Sequence, residues 1–228
     1  MTYQHPKFLV AVDCVIFGYQ DADLKLLLHH RDIEPAKGQW SLMGGFVSDG
    51  ESVEDAAMRV LYQTTGLTNI YLEQVAAFSA VDRDPGARVI SIALVALIRI
   101  DEHDRELVRK NGAHWRSVNE VPKLIFDHNE IVEKGLETLQ KRASNELAGR
   151  ELLPEHFTFG QLRSLYEAIF QRTFDPGNFR KKVLSLNVIE RLDIKNTKES
   201  KKGAYYHRFK DQNESNDPER IFKIHLKG

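Results

Sequence analysis

The stretch Gly45–Leu67, GFVSDGESVEDAAMRVLYQTTGL, decides the fold assignment of this 228-residue chain. Its middle predicts a helix over residues 52–65, because apolar and polar positions alternate there with helical spacing. Either Ser52 or Gly50 lies near the helix start, and Gly66 supplies the stop that commonly follows a last helical turn. The stretch is therefore a loop followed by a capped helix.

Six positions of this stretch match a spaced pattern, G-x5-E-x7-R-E-U-x-E-E-x-G-U, in which U is a bulky aliphatic residue. The preceding run WSLMGGFV, residues 40–47, matches a second pattern, W-x-L-P-G-G-F-V, with Met43 in place of the proline. Over about residues 5–145 the chain thus resembles Nudix hydrolases, and the resemblance implies an α/β/α sandwich around a mixed sheet. The matching positions of the first pattern are Gly45, Glu51, Arg59, Leu61, Gly66 and Leu67.

Three positions where that family carries metal-binding glutamates hold Val60, Gln63 and Thr64. These side chains share one helix face, yet a hard divalent cation needs oxygen ligands, usually including carboxylates. We therefore predict the Nudix shape without its hydrolase chemistry, with no catalytic or metal-binding residue and no cofactor. The alternative is a hydrolase that uses a displaced set of carboxylates, namely Glu51, Glu54 and Asp55.

The composition, 42% hydrophobic and 29% charged, is that of an ordinary globular protein of one large or two small domains. The net charge of −1 hides an asymmetry, since residues 151–228 carry +4 and the remainder carries −5. A basic C-terminal part predicts a polyanionic partner for that part alone.

A single cysteine, Cys14, excludes an intramolecular disulfide framework and is expected to be buried. The apolar run FLVAVDCVIFGY is interrupted by Asp13 and is too short to span a bilayer. Because no signal peptide is recognisable, we predict a cytoplasmic protein without a membrane partner.

The N-terminal part alternates strand-like and helix-like segments, as an α/β/α sandwich requires. Its last helix is predicted over residues 127–143, with Asp127 as cap and Ile131, Leu136 and Leu139 as its apolar stripe. The predicted strands cover residues 8–18, 24–30, 70–81, 88–100 and 114–118.

A polar junction near residues 144–155 divides the chain into an effector-binding domain, residues 1–147, and a C-terminal domain, residues 148–228. The latter predicts a helix from Thr158, the turn RTFDPG, and a second helix NFRKKVLSL with Phe179, Val183, Leu184 and Leu186 facing inward. Two short strands around a basic loop follow. Helix, turn, helix and wing together form a winged helix-turn-helix pattern.

The charge of this module favours DNA binding, since the segment from Arg180 to Lys210 carries a net +7 in 31 residues. Lysine and arginine at phosphates supply affinity, and Asn178 and Arg180 are candidates for base edges. The alternatives are a solvated basic face on an accessory domain, and an RNA-contacting adaptor. The predicted DNA-binding residues are Asn178, Arg180, Lys181, Lys182, Lys201, Lys202, Tyr205 and Arg208.

The module also carries the motif YEA at 166–168, Asp175, NFRKK at 178–182 and YHRF at 206–209. With the degenerate Nudix helix, these residues resemble the Nudix-related transcriptional regulators, most closely the L-arabinose-responsive group of Bacteroidetes. The resemblance implies a ligand-responsive regulator of duplex DNA whose effector is L-arabinose, or ADP-ribose as in other members. A homodimer is expected, because regulators of this type pair two helices on a palindrome.

A sugar or sugar-nucleotide site needs convergent polar groups and an apolar wall. Several residues have a competing structural role: Trp40 as core packing, Glu51 as the ion-pair partner of Arg59, and Arg88 as a solvated side chain. His29 and His30 alternate faces, so one of them is expected to be exposed. The predicted effector-binding residues are His29, Arg31, Trp40, Glu51 and Arg88.

Overall fold

A computed structural model describes residues 4–68, 70–100, 105–145, 152–197 and 203–210. The chain forms two compact units, one of residues 1–18 with 25–137 and one of residues 19–24 with 138–228. The predicted boundary between residues 147 and 148 lies outside the described ranges and stays a prediction. Within those ranges no helix combines the length and apolar character that crossing a bilayer requires, and the cytoplasmic location also stays a prediction.

Seven strands form one sheet with the order β3-β2-β1-β6-β5, in which β4 also pairs with β1 and β7 with β2. The longer strands lie where the alternation of the sequence predicts them. The two short strands in the run of residues 40–47 were not predicted, because glycines and a single buried face leave no alternation there. The strands are β1 Leu9–Gln20, β2 Asp23–His30, β3 Trp40–Ser41, β4 Met43–Phe46, β5 Glu73–Phe78, β6 Val89–Arg99 and β7 Ala113–Ser117.

The sheet is mixed because β1 and β6 run in the same direction. The Leu9 N–H donates to the Arg88 carbonyl (3.2 Å), and further along the Ser91 hydroxyl donates to Asp13 (2.6 Å). At the far end Gly18 lies so close to Ile100 that an added methyl group would sit 2.6 Å from its Cγ1. By contrast, β4 pairs with β1, β7 with β2 and β5 with β6 in the antiparallel sense.

Helices cover both faces of the sheet. Even-numbered residues of β1, such as Cys14, share a core with the helix α1 Val53–Thr65. The odd-numbered Val15 instead contacts Gly135 of α3 His128–Asn145. The predicted α/β/α class is therefore confirmed. The first helix begins at Ser52, whose hydroxyl accepts from the Asp55 N–H, and it ends at Gly66 in the left-handed conformation.

Two helices and a hairpin form the C-terminal part of the second unit: α4 Phe159–Phe170, α5 Pro176–Ser185, and the strands β8 Ile189–Asn196 and β9 Ala204–Phe209. The short helix α2 Arg105–Lys110 belongs to the first unit. Thr158 caps α4 through a capping box with Gln161, as predicted, and Asp175 caps α5. Helix, helix and wing thus follow in the predicted order.

The packing of α5 agrees with the prediction at Phe179 and Val183, which are buried, and contradicts it at Leu184, which is 48% exposed. Residues 179 and 183 are one turn apart and share a face. Position 184 lies a further 100° around the helix and therefore turns towards solvent. In α4 the buried residues are Leu162, Leu165, Tyr166 and Ile169.

Candidate functional site

The first unit contains a cavity of about 210 Å³ that opens beside β1, the end of β2 and the β3–β4 turn. Its floor is polar and its rim carries both charges and apolar groups. Of the five predicted effector-binding residues, only His29 and Arg31 line it. The lining residues are Ala11, Asp13, His29, Arg31, Asp32, Ile33, Ser41, Gly44, Gly45, Phe46, Thr64, Arg83, Asp84, Val89, Phe126 and His128.

The buried guanidinium of Arg83 and the carboxylate of Asp13 form the floor of this cavity, and Arg83 also holds Asp127, which lies outside the lining. Arg83 donates to both oxygens of Asp127, from Nε (2.8 Å) and Nη2 (2.7 Å), and its Nη2 also reaches Asp13 Oδ2 (3.3 Å). Ser91 donates to the same Asp13 oxygen. The backbone carbonyl of Asp127 accepts the Ile131 N–H at the start of α3 (3.1 Å), while its side chain binds Arg83, so capping by that side chain stays a prediction. One cation therefore faces two anions in a nearly solvent-free place.

The sequence carried a weak signal for this network. Asp13 interrupts an apolar strand, and Arg83 stands in the turn DRDPGAR next to the predicted Arg88. A buried carboxylate requires a paired cation, so Asp13 alone indicated a missing arginine or lysine. Which one it was could not be deduced, because the two residues are 70 positions apart.

His128 stands beside this network as a neutral imidazole. Its Nδ1 accepts the Leu42 N–H (3.2 Å), so that nitrogen bears no proton. The proton is therefore on Nε2, which lies 3.5 Å from Asp13 Oδ1. Burial lowers the pKa of His128, against the opposing influence of the two aspartates. Burial likewise lowers the pKa of His29, whose Nε2 donates to the Leu42 carbonyl (3.0 Å).

The Nudix helix reaches the cavity only through Thr64. Its hydroxyl donates to the Val60 carbonyl (2.7 Å), one turn back in the same helix. Val60 itself is 3% exposed and belongs to the apolar core, and Gln63 points to solvent. The three positions that carry glutamates in Nudix hydrolases thus differ in their surroundings, because Val60 lies in the core, Gln63 in solvent and Thr64 at the cavity.

Glu51 lies outside the cavity, in an ion pair. Its two oxygens accept from Arg59 Nε (2.6 Å) and Nη2 (2.9 Å), and one also accepts the Ser48 N–H (2.9 Å). The Arg59 hydrogen bonds, followed by that of the Ser48 backbone, lower the pKa of Glu51 to about 2. Arg59 also donates to the Phe46 carbonyl (2.9 Å). The prediction that Glu51 pairs with Arg59 is confirmed.

Trp40 and Arg88 also lie outside the cavity lining. The Trp40 ring stacks on His30 with 3.8 Å between centroids, and Arg116 covers it at 4.9 Å. Arg88 donates to the carbonyls of Ser79 and Ala80 (both 3.0 Å). As expected for alternating residues, His30 is exposed and His29 is half-buried.

The carboxylates of the alternative hydrolase set have local partners. Glu51 holds Arg59, as described, and Asp55 closes the capping box with Ser52 (2.7 Å between Oδ2 and the hydroxyl). Glu54 is exposed in the first turn of α1. Across the described ranges, no three His, Cys, Asp or Glu side chains come together as a metal site.

The second unit presents a cationic surface on α5. Asn178, Arg180 and Lys181 are exposed and Lys182 is half-buried. Of the predicted wing residues, Lys201 and Lys202 lie outside the described ranges. Tyr205 is 37% exposed and carries two cations on its ring, Arg191 and Lys195, which sequence reasoning did not single out. Arg208 is exposed and forms an ion pair with Glu190.

Comparison with known proteins supports both units. The family model of the NUDIX domain matches residues 7–139, and that of the NrtR DNA-binding winged helix domain matches residues 149–209. The chain is 28% identical to the ADPR responsive transcriptional repressor NtrR of Acinetobacter baylyi, over 83% of this chain and 77% of the relative. It is 38% identical to the ADP-ribose pyrophosphatase of Methanocaldococcus jannaschii, over 57% of this chain and 73% of the relative.

Solved structures extend the likeness to both units. Shewanella oneidensis NrtR complexed with a 27mer DNA superposes with a TM-score of 0.73 at 26% identity, covering 88% of this chain and 93% of that one. The NUDIX domain of the same protein, complexed with ADP ribose, gives a TM-score of 0.52 at 29% identity, covering 59% and 90%. The chain therefore belongs to the NUDIX-domain family and, through its NrtR-type winged helix domain, to the Nudix-related transcriptional regulators.

Proposed function

We propose that this protein is an effector-responsive transcriptional regulator that binds duplex operator DNA through α5 and the wing. The observation that carries the proposal is the cationic face of α5, where Asn178, Arg180 and Lys181 are exposed on a short capped helix. A helix of this kind in the second position of a winged module enters the major groove. The relatives named above as a repressor and as a DNA complex support the same role.

We further propose that the cavity in the first unit binds the pentose ring of the effector. Its volume, about 210 Å³, is below the roughly 300–1,000 Å³ of sites that enclose drug-sized ligands. The floor cation, Arg83, is paired with two anions, Asp13 in the lining and Asp127 outside it, so the floor offers no surplus positive charge to a diphosphate. Carboxylates, a guanidinium and neutral imidazoles are instead suitable partners for vicinal hydroxyls.

Two candidate effectors contain a pentose ring, namely ADP-ribose and free L-arabinose. Three of the similar proteins described above are named for ADP-ribose, abbreviated ADPR in one of them, or hold it in a complex, and this molecule carries a terminal ribose. ADP-ribose is therefore the effector that the comparisons favour. Free L-arabinose, implied by the resemblance in sequence, stays an untested prediction, and the size and charge balance of the cavity suit it. In ADP-ribose the adenosine diphosphate would extend beyond the cavity.

The DNA-binding part is tested with a duplex selected from a random library by the full chain. Lys181→Ala should weaken binding and lower the slope of log K against log salt by about 0.9, the value for one lost phosphate contact. Lys141→Ala is the matched control, because it removes the same charge from an exposed position on α3 of the same unit. Asn178→Ala should relax the base preference. Equal binding by parent, Lys181→Ala and Asn178→Ala would contradict the role of α5.

The effector part is tested by titrating the complex of protein and DNA with ADP-ribose, L-arabinose and D-ribose. A coupling of about 1–3 kcal/mol, typical of allosteric proteins, would weaken DNA binding about 5- to 150-fold. Ser91→Ala should weaken the response, since its hydroxyl orients Asp13 in the cavity floor. If ADP-ribose alone releases the protein from DNA, the chain belongs with the regulators of NAD metabolism. If L-arabinose releases it, the chain belongs with the regulators of sugar catabolism. Failure of all three ligands would refute the pentose proposal and leave the DNA-binding proposal intact.

A second candidate function is hydrolysis of ADP-ribose, favoured by the 38% identity to an ADP-ribose pyrophosphatase. We expect no magnesium-dependent turnover above background, because Val60, Gln63 and Thr64 supply no carboxylate at the positions that grip the metal in working enzymes. Release of AMP from ADP-ribose is the measurement. Turnover by the parent that is lost in Glu51→Gln would support the hydrolase, whereas turnover that persists in this variant indicates a contaminant or a site that does not use Glu51.

A further inference from the structure

The wing is a hairpin whose two strands are out of step by two residues. Arg191 is paired with His207, and Lys195 with Tyr205. Four positions along β8 therefore correspond to two along β9, and the intervening residues bulge. Because directly paired residues of an antiparallel hairpin project from the same face, and because residues two apart on β9 also share a face, all four side chains lie on one side of the wing.

The bulge brings two cations onto a single aromatic ring. The Arg191 guanidinium carbon lies 4.4 Å from the Tyr205 ring centroid, and the Lys195 ammonium lies 4.8 Å from it. Both cations are exposed to solvent. The carboxylate of Asp193 approaches Arg191 at 3.4 Å but is itself 94% exposed, so it neutralises little of that charge in water. A ring beneath two long side chains restricts their conformations while their charges remain available.

The same face of the wing is turned towards the helices. His207 lies in edge-to-face contact with Phe159 of α4, with 4.5 Å between ring centroids. On the same Phe159 ring stands Arg180 of α5, with its guanidinium carbon 4.5 Å from the centroid. Arg180 and Arg191 are therefore both neighbours of His207. In agreement with this placement, burial lowers the pKa of His207, and the charges of Arg180 and Arg191 lower it further.

We infer that Arg180, Arg191 and Lys195 form one phosphate-binding track, running from α5 to the wing, in which the rings of Phe159 and Tyr205 hold the cations in position. The track rests on the proposed function, since its ligand is the sugar-phosphate backbone of duplex DNA. Arg180, a sequence candidate for a base edge, is assigned here to the backbone. Phe159 and Tyr205 are positioning residues that act through the cations they carry.

Arg208 provides the matched control for this track. It is paired with Glu190 across the hairpin, one position away from His207, and so projects from the opposite face of the wing. Its guanidinium is held by Glu190 in an ion pair. The sequence indicated Arg208 as a DNA contact, whereas the geometry of the hairpin assigns it to the side that does not face the helices.

The charge part of the inference is tested by fluorescence anisotropy of the full chain on a selected duplex, between about 50 and 200 mM salt. Arg191→Ala and Lys195→Ala should each lower the slope of log K against log salt by about 0.9, and Arg208→Ala should leave it unchanged. Parental slopes in the first two variants would overturn the track. An equal loss in Arg208→Ala would also overturn it, since the effect would then not depend on the face.

The positioning part is tested with Tyr205→Leu and Phe159→Leu, which remove the rings and keep every cation. Each should weaken binding about two- to fivefold, the factor expected from a cation–π contact at an exposed site. The salt slope and the melting temperature should stay at the parental values, which a merely structural defect or a lost phosphate contact would not allow. Parental affinity in both variants would overturn the positioning role. If the parent itself binds no selected duplex, the proposed function fails, and the track fails with it.

Discussion

Replacing Arg83 by methionine isolates the electrostatic role of the cavity floor. The substitution keeps a long side chain but removes three contacts, two to Asp127 (2.8 and 2.7 Å) and one to Asp13 (3.3 Å). The side chains of Arg83, Asp13 and Asp127 are 3%, 7% and 13% exposed. Removing one partner of such a buried pair typically costs about 3–5 kcal/mol, because the remaining charges lose their counter-ion.

The lower end of that range applies here. Asp13 keeps the hydrogen bond from Ser91 and the neighbouring His128, and Asp127 retains some contact with water. We therefore expect a loss of about 3 kcal/mol in the free energy of unfolding, more than a 100-fold shift in the folding equilibrium. The loss should shrink as the pH falls, because burial lowers the pKa of His128 most and the charge of Arg83 lowers it further. Without Arg83, the folded state takes up a proton more readily on that imidazole.

The assay is urea unfolding followed by tryptophan fluorescence, which reports on the first unit because both tryptophans, Trp40 and Trp115, lie in it. Arg88→Met is the matched control, since that guanidinium donates to two exposed backbone carbonyls, those of Ser79 and Ala80. Asp13→Asn added to Arg83→Met should recover part of the loss. A cost below about 1 kcal/mol, the range of an exposed pair, or a cost equal to that of the control, would refute the argument.

Three further predictions follow from the fold. The free energy of unfolding should be constant above about pH 6.5, the pKa of histidine in the unfolded chain. At lower pH it should decrease by up to about 1.4 kcal/mol per pH unit for each buried neutral histidine. Urea midpoints measured against pH should decrease less steeply for His128→Asn than for the parent, and identical profiles would contradict a buried neutral His128. Light scattering should show a homodimer of the 26.2 kDa chain. Leu9→Glu should favour the monomer, since Leu9, at the start of β1, is 46% exposed and lies diagonally across from the 47% exposed Phe46, whose direct partner is Ala11; a monomeric parent would refute this. Val60→Glu should lower the free energy of unfolding by about 3 kcal/mol, because it buries a carboxylate, whereas Gln63→Glu should change it by less than about 0.5 kcal/mol. Equal shifts of the melting temperature in the two variants would refute the burial assigned to Val60.

The class of the fold was predictable because each of its layers has a local cause. The helix at residues 53–65 begins at a serine cap and ends at Gly66, and its neighbours in sequence form strands with clear alternation. The winged module was predictable for the same reason, since Thr158 and Asp175 both stand at the starts of amphipathic helices. Local chemistry of this kind is readable without knowledge of distant contacts.

The candidate site was only half predictable, because its floor is assembled from distant parts of the chain. His29 and Arg31 lie at the end of β2, a strand that the sequence predicts. Arg83 and His128 come from a turn and from the start of α3, and only the folded sheet brings them to Asp13. Trp40 lies outside the cavity lining for a related reason, since a two-residue strand, unrecognisable from alternation, turns its ring towards His30, and its predicted contact with the effector stays a prediction.

The loop that opens the Nudix motif shows what a sequence motif measures. A methyl group on Gly44 would collide with Asp13, one on Gly45 would lie 2.8 Å from Val60, and Glu51 fastens Arg59 to the loop. These four positions therefore make structural contacts that need neither a metal nor a diphosphate. A sequence match at these positions therefore detects the architecture of the loop. The hydrolase chemistry depends instead on metal-binding carboxylates at positions 60, 63 and 64. We therefore expect the residues at those three positions, more than overall identity, to distinguish hydrolases from regulators among proteins that share this loop.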